Sequence, residues 1–81
     1  MNIHARSGDA ERAQSEGNAI YGKLLPAFRR QGLKSGLLVA INIDTGRYVT
    51  AETRRELMIL YKQNFGHAVG WVRRIEYGED S

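Results

Sequence analysis

An apolar run over residues 37–43 (LLVAINI) is the clearest feature in the pattern of hydrophobic and polar positions along the chain. The run is short, β-branched near its end, and bounded by Gly36 and Gly46, which is typical of a strand. Because its first residues are apolar on both faces, we expect this strand in the centre of a sheet. The Asp44-Thr45-Gly46 sequence that follows predicts a tight hairpin turn, with a second strand over residues 47–50.

Four apolar residues before the hairpin recur near one helical stripe and predict a first helix: Ala13, Ile20, Leu24 and Phe28. Either Asp9 or Ser15 can cap its N-terminus, because both side chains accept hydrogen bonds from the first free N–H groups of a helix. Residues 29–32 (RRQG) have the cations and the glycine of a helix C-terminus. Residues 1–8 are polar without a period, and we expect them to be flexible.

A second helix and a third strand follow the hairpin. The helix begins after Thr50 or after Thr53, whose spacing to Glu56 is that of a capping box, and it ends at Gly66. Its buried stripe consists of four residues: Leu57, Leu60, Tyr61 and Phe65. The third strand covers residues 67–77 and places Arg73 on its apolar face. A β-bulge at Arg73 and Arg74 would correct this mismatch, and we expect one there.

The elements follow the order α-β-β-α-β, which predicts a fold of the α+β class. If the third strand pairs beside the first, the three-stranded sheet is antiparallel with the order 2-1-3. We expect both helices on one face of this sheet, with the other face left open. The chain then consists of a flexible N-terminus over 1–8, a single domain over 9–77 and an acidic tail over 78–81.

Length and composition limit the class of protein. A chain of 81 residues without cysteine has a small core and no disulfide, and such domains often gain stability by association. The absence of cysteine favours a reducing compartment. The N-terminal residues have no apolar signal-peptide core, and no apolar run is long enough to span a membrane. We therefore expect a cytoplasmic protein without a membrane partner, as a homo-oligomer or bound to another protein.

Positive charge is concentrated in one part of the chain. The formal net charge is +3, and residues 19–36 carry four cations and no acid. The candidate contact residues for a partner or for nucleic acid are the clustered cations and two aromatic residues that could stack on bases: Arg29, Arg30, Lys34, Arg73, Arg74, Trp71 and Tyr77. Two alternatives stay open, namely that the cations only complement a helix C-terminus and that Trp71 belongs to the core.

Motifs for chemistry are missing from the sequence. It has no zinc-ligand spacing, no phosphate-binding loop and no nucleophile motif. We therefore expect no catalytic residues, no metal and no cofactor. The favoured function is that of a small non-enzymatic binding or accessory protein that acts through a protein partner or through self-association. The alternative is a small basic regulator that binds nucleic acid.

Three stretches resemble a family of small uncharacterised prokaryotic proteins: residues 21–26 (YGKLLP), 38–49 (LVAINIDTGRYV) and 72–75 (VRRI). The central stretch is similar to that family's VAI[DN]-x-x-TG-x-Y hairpin motif. This chain has Asn42 where Asp is usual and Glu76 where Gly is usual. The resemblance covers residues 20–77 and implies a helix, a hairpin, a second helix and a strand. It implies an accessory role with a partner, such as a toxin–antitoxin-like role, and no established activity.

Overall fold

Three antiparallel strands form a sheet whose order, β2-β1-β3, is the predicted one. The computed structural model describes residues 2–78, and side chains from residue 11 onward. Its elements, in chain order, are α1 (Asn2–Arg30), β1 (Leu38–Asn42), β2 (Tyr48–Ala51), α2 (Arg54–Phe65) and β3 (Gly70–Arg74). Helix α1 thus begins before both expected caps, Asp9 and Ser15. Apart from Gly78, the predicted acidic tail lies outside the described residues. Neither helix in the described part contains a stretch suited to crossing a membrane.

The β1–β2 hairpin is held by the side chain and backbone of Asn42. The Asp44 N–H donates to Asn42 Oδ1 over 2.9 Å, and the Gly46 N–H donates to the Asn42 carbonyl over 2.8 Å. Gly46 has a φ of 80°, a conformation that side chains other than glycine rarely adopt. The predicted turn is confirmed, and its buried Asn42 satisfies the polar groups that a tight turn leaves without strand partners.

Helix α1 packs against β1 and β3 on the sheet face that carries Ile41. The residues paired with Ile41 on its two sides are Tyr48 and Trp71, whose side chains therefore share its face. The Tyr21 ring lies 5.9 Å from the Trp71 ring, and the Phe28 ring lies 4.9 Å from the Tyr48 ring. These aromatic contacts place the main core between α1 and this face.

Helix α2 packs against β1 and β2 on the opposite face. Met58 and Tyr61 from α2 line a groove with Ala40 and Val72, which alternate with the residues that face α1. Across the described residues, α1 and α2 do not contact each other. The expectation that both helices share one face is therefore wrong. Both faces of β1 are apolar, so each face needs its own helix to exclude water.

Strand β3 pairs with β1 without the expected bulge. The register runs without interruption from Leu38 opposite Arg74 to Asn42 opposite Gly70. Arg73 stays on the face toward α1, and its guanidinium carbon lies 4.8 Å from the centre of the Tyr21 ring. A cation over an aromatic face is attracted to it, so Arg73 is accommodated there without an extra residue in the strand.

Helix α2 begins after Thr53, which is one of its two predicted N-caps, and it ends at the predicted Gly66. Thr53 is the N-cap, and its Oγ1 accepts a hydrogen bond of 3.2 Å from the Glu56 N–H. Gly66 follows the last helical residue with a φ of 63°, and its N–H donates to the Lys62 carbonyl over 2.9 Å. Leu57 is fully buried beneath the helix. These contacts fix where α2 begins and ends, and Leu57 marks the side of the helix that faces the sheet.

Candidate functional site

The outer edge of β3 has no neighbouring strand among residues 2–78. The Ile75 N–H donates to the Leu37 carbonyl over 2.7 Å, and the Ile43 N–H donates to the Val69 carbonyl over 3.4 Å. Residues 69 and 75 thus bond toward β1, and bonding direction alternates along an antiparallel strand. The N–H and C=O groups of Gly70 and Val72 consequently point away from β1, toward the edge of the sheet.

Tyr21 occupies one end of this same edge. Its hydroxyl accepts a hydrogen bond of 3.0 Å from the Glu76 N–H and lies 3.2 Å from the Glu76 carbonyl, to which it can donate. The hydroxyl group thereby takes the place that a neighbouring strand would fill beside residue 76. Tyr21 is buried, and it leaves the segment from Gly70 to Val72 as the free part of the edge.

An apolar groove lies beside this free edge. Because α2 lies mainly over β1 and β2, it covers the face of β3 on that side only in part, through Tyr61 against Gly70. The groove has a volume of about 170 Å³, and we call it the β3 groove. Its lining consists of Ala40, Met58, Tyr61, Gly70, Trp71 and Val72. Met58 is 41% exposed, and Val69, which precedes Gly70 in the chain, is 39% exposed, so both apolar side chains meet solvent.

Tyr61 forms the wall of the groove against Gly70. A Cβ atom at Gly70 would lie 2.6 Å from Tyr61 Cζ, so only glycine allows this approach. The Tyr61 hydroxyl donates to the Ala68 carbonyl over 3.1 Å. Burial raises the pKa of Tyr61, and the negative charge of Asp44 raises it further. The groove therefore has an uncharged aromatic wall at neutral pH.

No protein-family model, curated protein or solved structure matches this chain. The resemblance seen in the hairpin motif stays a prediction. Among residues 11–78, no three side chains of the types that ligate metals come together. The local geometry of the site is therefore the basis for assigning it a function.

Four of the predicted contact residues lie around the α1–β1 loop, and we call them the basic end: Arg29, Arg30, Lys34 and Arg74. Tyr77 anchors this loop, because its hydroxyl donates to the Leu33 carbonyl over 2.6 Å. The guanidinium carbon of Arg29 lies 4.9 Å from the Tyr77 ring centre, and Arg74 Nη1 lies 3.5 Å from the Gly36 carbonyl. The fold thus gathers cations that are far apart in the sequence.

The cations of the basic end are exposed and make no ion pair with any carboxylate in the described part of the chain. Arg12 shows the contrast, since its Nη2 donates to Asp44 Oδ1 over 2.7 Å and its Nε to Glu16 over 3.2 Å. Hydrogen bonds to Asp44 and then to Glu16 raise the pKa of Arg12. The basic end retains its positive charge for an external anion.

The other two predicted contact residues, Trp71 and Arg73, lie against α1. Trp71 is half-buried beside Gly17, where a Cβ atom would lie 2.5 Å from Trp71 Cδ2. Arg73 lies over the rings of Tyr21 and Trp71, at 4.8 and 5.8 Å from their centres. Neither side chain is part of the basic end, and Trp71 packs on the core instead of standing on an open sheet face.

Five of the six residues that line the β3 groove were not predicted as site residues: Ala40, Met58, Tyr61, Gly70 and Val72. The one sequence signal for them is Gly70 itself, because a glycine inside a strand often marks a close approach by another group. The sequence assigned Tyr61 to the buried stripe of α2 and Met58 to the edge of that stripe. Their position beside an open strand depends on which sheet face α2 covers.

Proposed function

We propose that this chain is a non-enzymatic protein-interaction module that takes up an extended protein segment along the outer edge of β3. The observation that carries the proposal is the outward direction of the N–H and C=O groups of Gly70 and Val72. An added strand would satisfy these groups, which is the principle of recognition by strand addition. A location in the cytoplasm, predicted from the absence of cysteine, belongs to the same proposal.

The β3 groove supports this function by offering a place for one side chain of the added strand. Alternate side chains of an extended segment point to the same face, so one of them would lie over Val72 and against Met58. A groove of about 170 Å³ is smaller than a typical small-molecule pocket, which favours a single apolar side chain over a free ligand. The backbone would provide affinity and the groove would provide sequence preference.

A selection from a display library of random linear peptides tests the proposal. We expect the wild-type chain to enrich peptides with an apolar residue at alternate positions. Val72→Pro should lose these peptides, because proline removes the outward N–H and leaves the pairing with β1 intact. Thr50→Pro is the matched control, since Thr50 has the same outward position on the opposite edge, in β2. Equal enrichment by Val72→Pro, or no enrichment by the wild type, would refute strand addition at β3.

The basic end favours a second candidate function, the binding of single-stranded nucleic acid. Its exposed cations lack carboxylate partners within the described residues, and Tyr77 lies beside Arg29. Phosphate contacts of this kind give affinity that falls steeply with salt. The affinity of an apolar strand-addition site does not fall with salt in this way. Binding measured at several salt concentrations therefore distinguishes the two functions.

Titration of the chain with single-stranded RNA at low salt tests the second function. Each lost phosphate contact should flatten the log–log salt dependence by about 0.7. Arg30→Gln and Lys34→Gln should show this effect, whereas Arg54→Gln on α2 serves as the control. Trp71 emission should not change on binding, because Trp71 packs on α1 away from the basic end. If RNA binding quenches Trp71 emission and neither substitution changes the salt dependence, the nucleic acid does not bind at the basic end.

A further inference from the structure

We infer that the segment added to β3 is the β3 strand of a second copy of this chain, paired antiparallel about a two-fold axis at Val72. The inference rests on the proposed function and names its partner. Two three-stranded sheets would then join into one continuous sheet of six strands. The outward N–H and C=O groups of each Val72 would bond to those of the other copy.

The sequence of β3 is complementary to itself in this register. With Val72 opposite Val72, Trp71 lies opposite Arg73 of the second copy, and Gly70 lies opposite Arg74. No arginine faces another arginine, which matters because like charges directly opposite each other destabilise a strand pair. Arg73 already lies over the rings of Tyr21 and Trp71 within one copy, so a second indole would extend an existing stack.

Neighbouring two-fold registers fit less well. An axis at Arg73 would place the two Arg73 side chains opposite each other. An axis at Trp71 would pair only the residues from Gly70 to Val72, whereas β3 covers Gly70–Arg74. The axis at Val72 is the centre of the strand and pairs all of its residues. Tyr21 borders the far end of this edge, where its hydroxyl lies 3.4 Å from the Arg74 carbonyl oxygen and 3.0 Å from the Glu76 nitrogen, so the outward groups of Gly70 and Val72 stay available.

A single cysteine provides a sharp test, because the chain has none of its own. In the inferred pair the two Val72 Cα atoms form a hydrogen-bonded antiparallel pair about 5.5 Å apart, within the range of a disulfide. We expect Val72→Cys to form a covalent dimer on mild oxidation, with its fold checked by circular dichroism. Thr50→Cys on the β2 edge is the control and should stay monomeric.

The wild-type chain supplies a second measurement that needs no substitution. Amide hydrogen exchange of Val72 should slow as the concentration rises from micromolar to millimolar, whereas Thr50 should exchange at a constant rate. Sedimentation should show a dimer over the same range. A monomer at millimolar concentration, or equal cross-linking through Thr50→Cys, would overturn the self-pairing. Peptide selection by β3 would still succeed in that case if the proposed function is correct, so the two failures are distinguishable.

Discussion

Two glycines in α1 should respond differently to the same substitution. Gly17 is buried beneath Trp71, and a Cβ atom there would lie 2.5 Å from Trp71 Cδ2 and 2.6 Å from Trp71 Cβ. Gly22 is exposed, and a Cβ atom there would have no heavy atom within 4 Å. Both residues are in the same helix, so Gly→Ala gives the same gain in helix propensity at each position.

The magnitudes follow from these two environments. Alanine stabilises a helix by about 1 kcal/mol relative to glycine, so Gly22→Ala should raise the free energy of unfolding by ~0.5–1 kcal/mol. At Gly17 the added methyl group must displace the indole, and such overpacking costs about 1–3 kcal/mol. Gly17→Ala should therefore be less stable than Gly22→Ala by ~1–3 kcal/mol, because the helix-propensity gain cancels in this comparison.

Urea denaturation of both variants, followed by far-UV circular dichroism, measures this difference. Thermal melting should agree, with a shift of about 4–8 °C for each kcal/mol in a domain of this size. Trp71 emission gives a local readout, since Gly17→Ala should move the indole toward solvent and Gly22→Ala should not. A Gly17→Ala variant as stable as Gly22→Ala would show that Trp71 does not pack on this position.

Further substitutions test the core, the turn and the groove. Ile41→Ala and Leu57→Ala should each cost about 2–5 kcal/mol in urea melts, since both residues are fully buried, and an unchanged melt would contradict that residue's burial. Gly46→Val should lower the melting temperature by an amount equivalent to about 1 kcal/mol or more, because φ is 80° there; wild-type stability would contradict the turn. Burial raises the Tyr61 pKa, so the unfolded chain loses this proton first and wild-type stability should fall above about pH 10. Tyr61→Phe should show a smaller fall in urea melts at neutral and alkaline pH, and an equal fall would contradict the shift.

Local signals were sufficient to predict the elements in chain order, and the apolar residues of β1 predicted its central place in the sheet. Helix α1 begins earlier than predicted, and β3 is shorter than the predicted strand over 67–77. The turn at Gly46 and the cap at Thr53 depend on residues near in sequence, and both are confirmed. The placement of the helices was wrong although its signal was present, because an apolar strand on both faces indicates a helix on each side. The prediction of a bulge was wrong because Arg73 is stabilised by Tyr21, a residue far away in the chain.

The candidate site was less predictable because it depends on what each helix leaves uncovered. Arg29 and Tyr77 were both predicted as contact residues, yet their stacking joins positions 48 residues apart. The face of β3 beside α2 is only partly covered because α2 lies mainly over β1 and β2. The spacing of apolar residues in α2 does not determine which strands the helix covers. The sequence therefore assigned Met58 to the edge of the apolar stripe of α2, and it could not assign Met58 to a groove.

Because β1 is the central strand, the elements on its two sides come from different parts of the chain and should fold at different stages. Strands β1 and β2 with helix α2 form one continuous stretch whose contacts are short in sequence, so it can assemble early. Helix α1 and strand β3 come from opposite ends and meet on the remaining side of β1, so they should open together as one cooperative unit. When they open, the buried residues Val39 and Ile41 lose their cover and β1 gains a bare edge. Helix α1 and strand β3 thus protect an apolar strand that would favour aggregation if it were exposed.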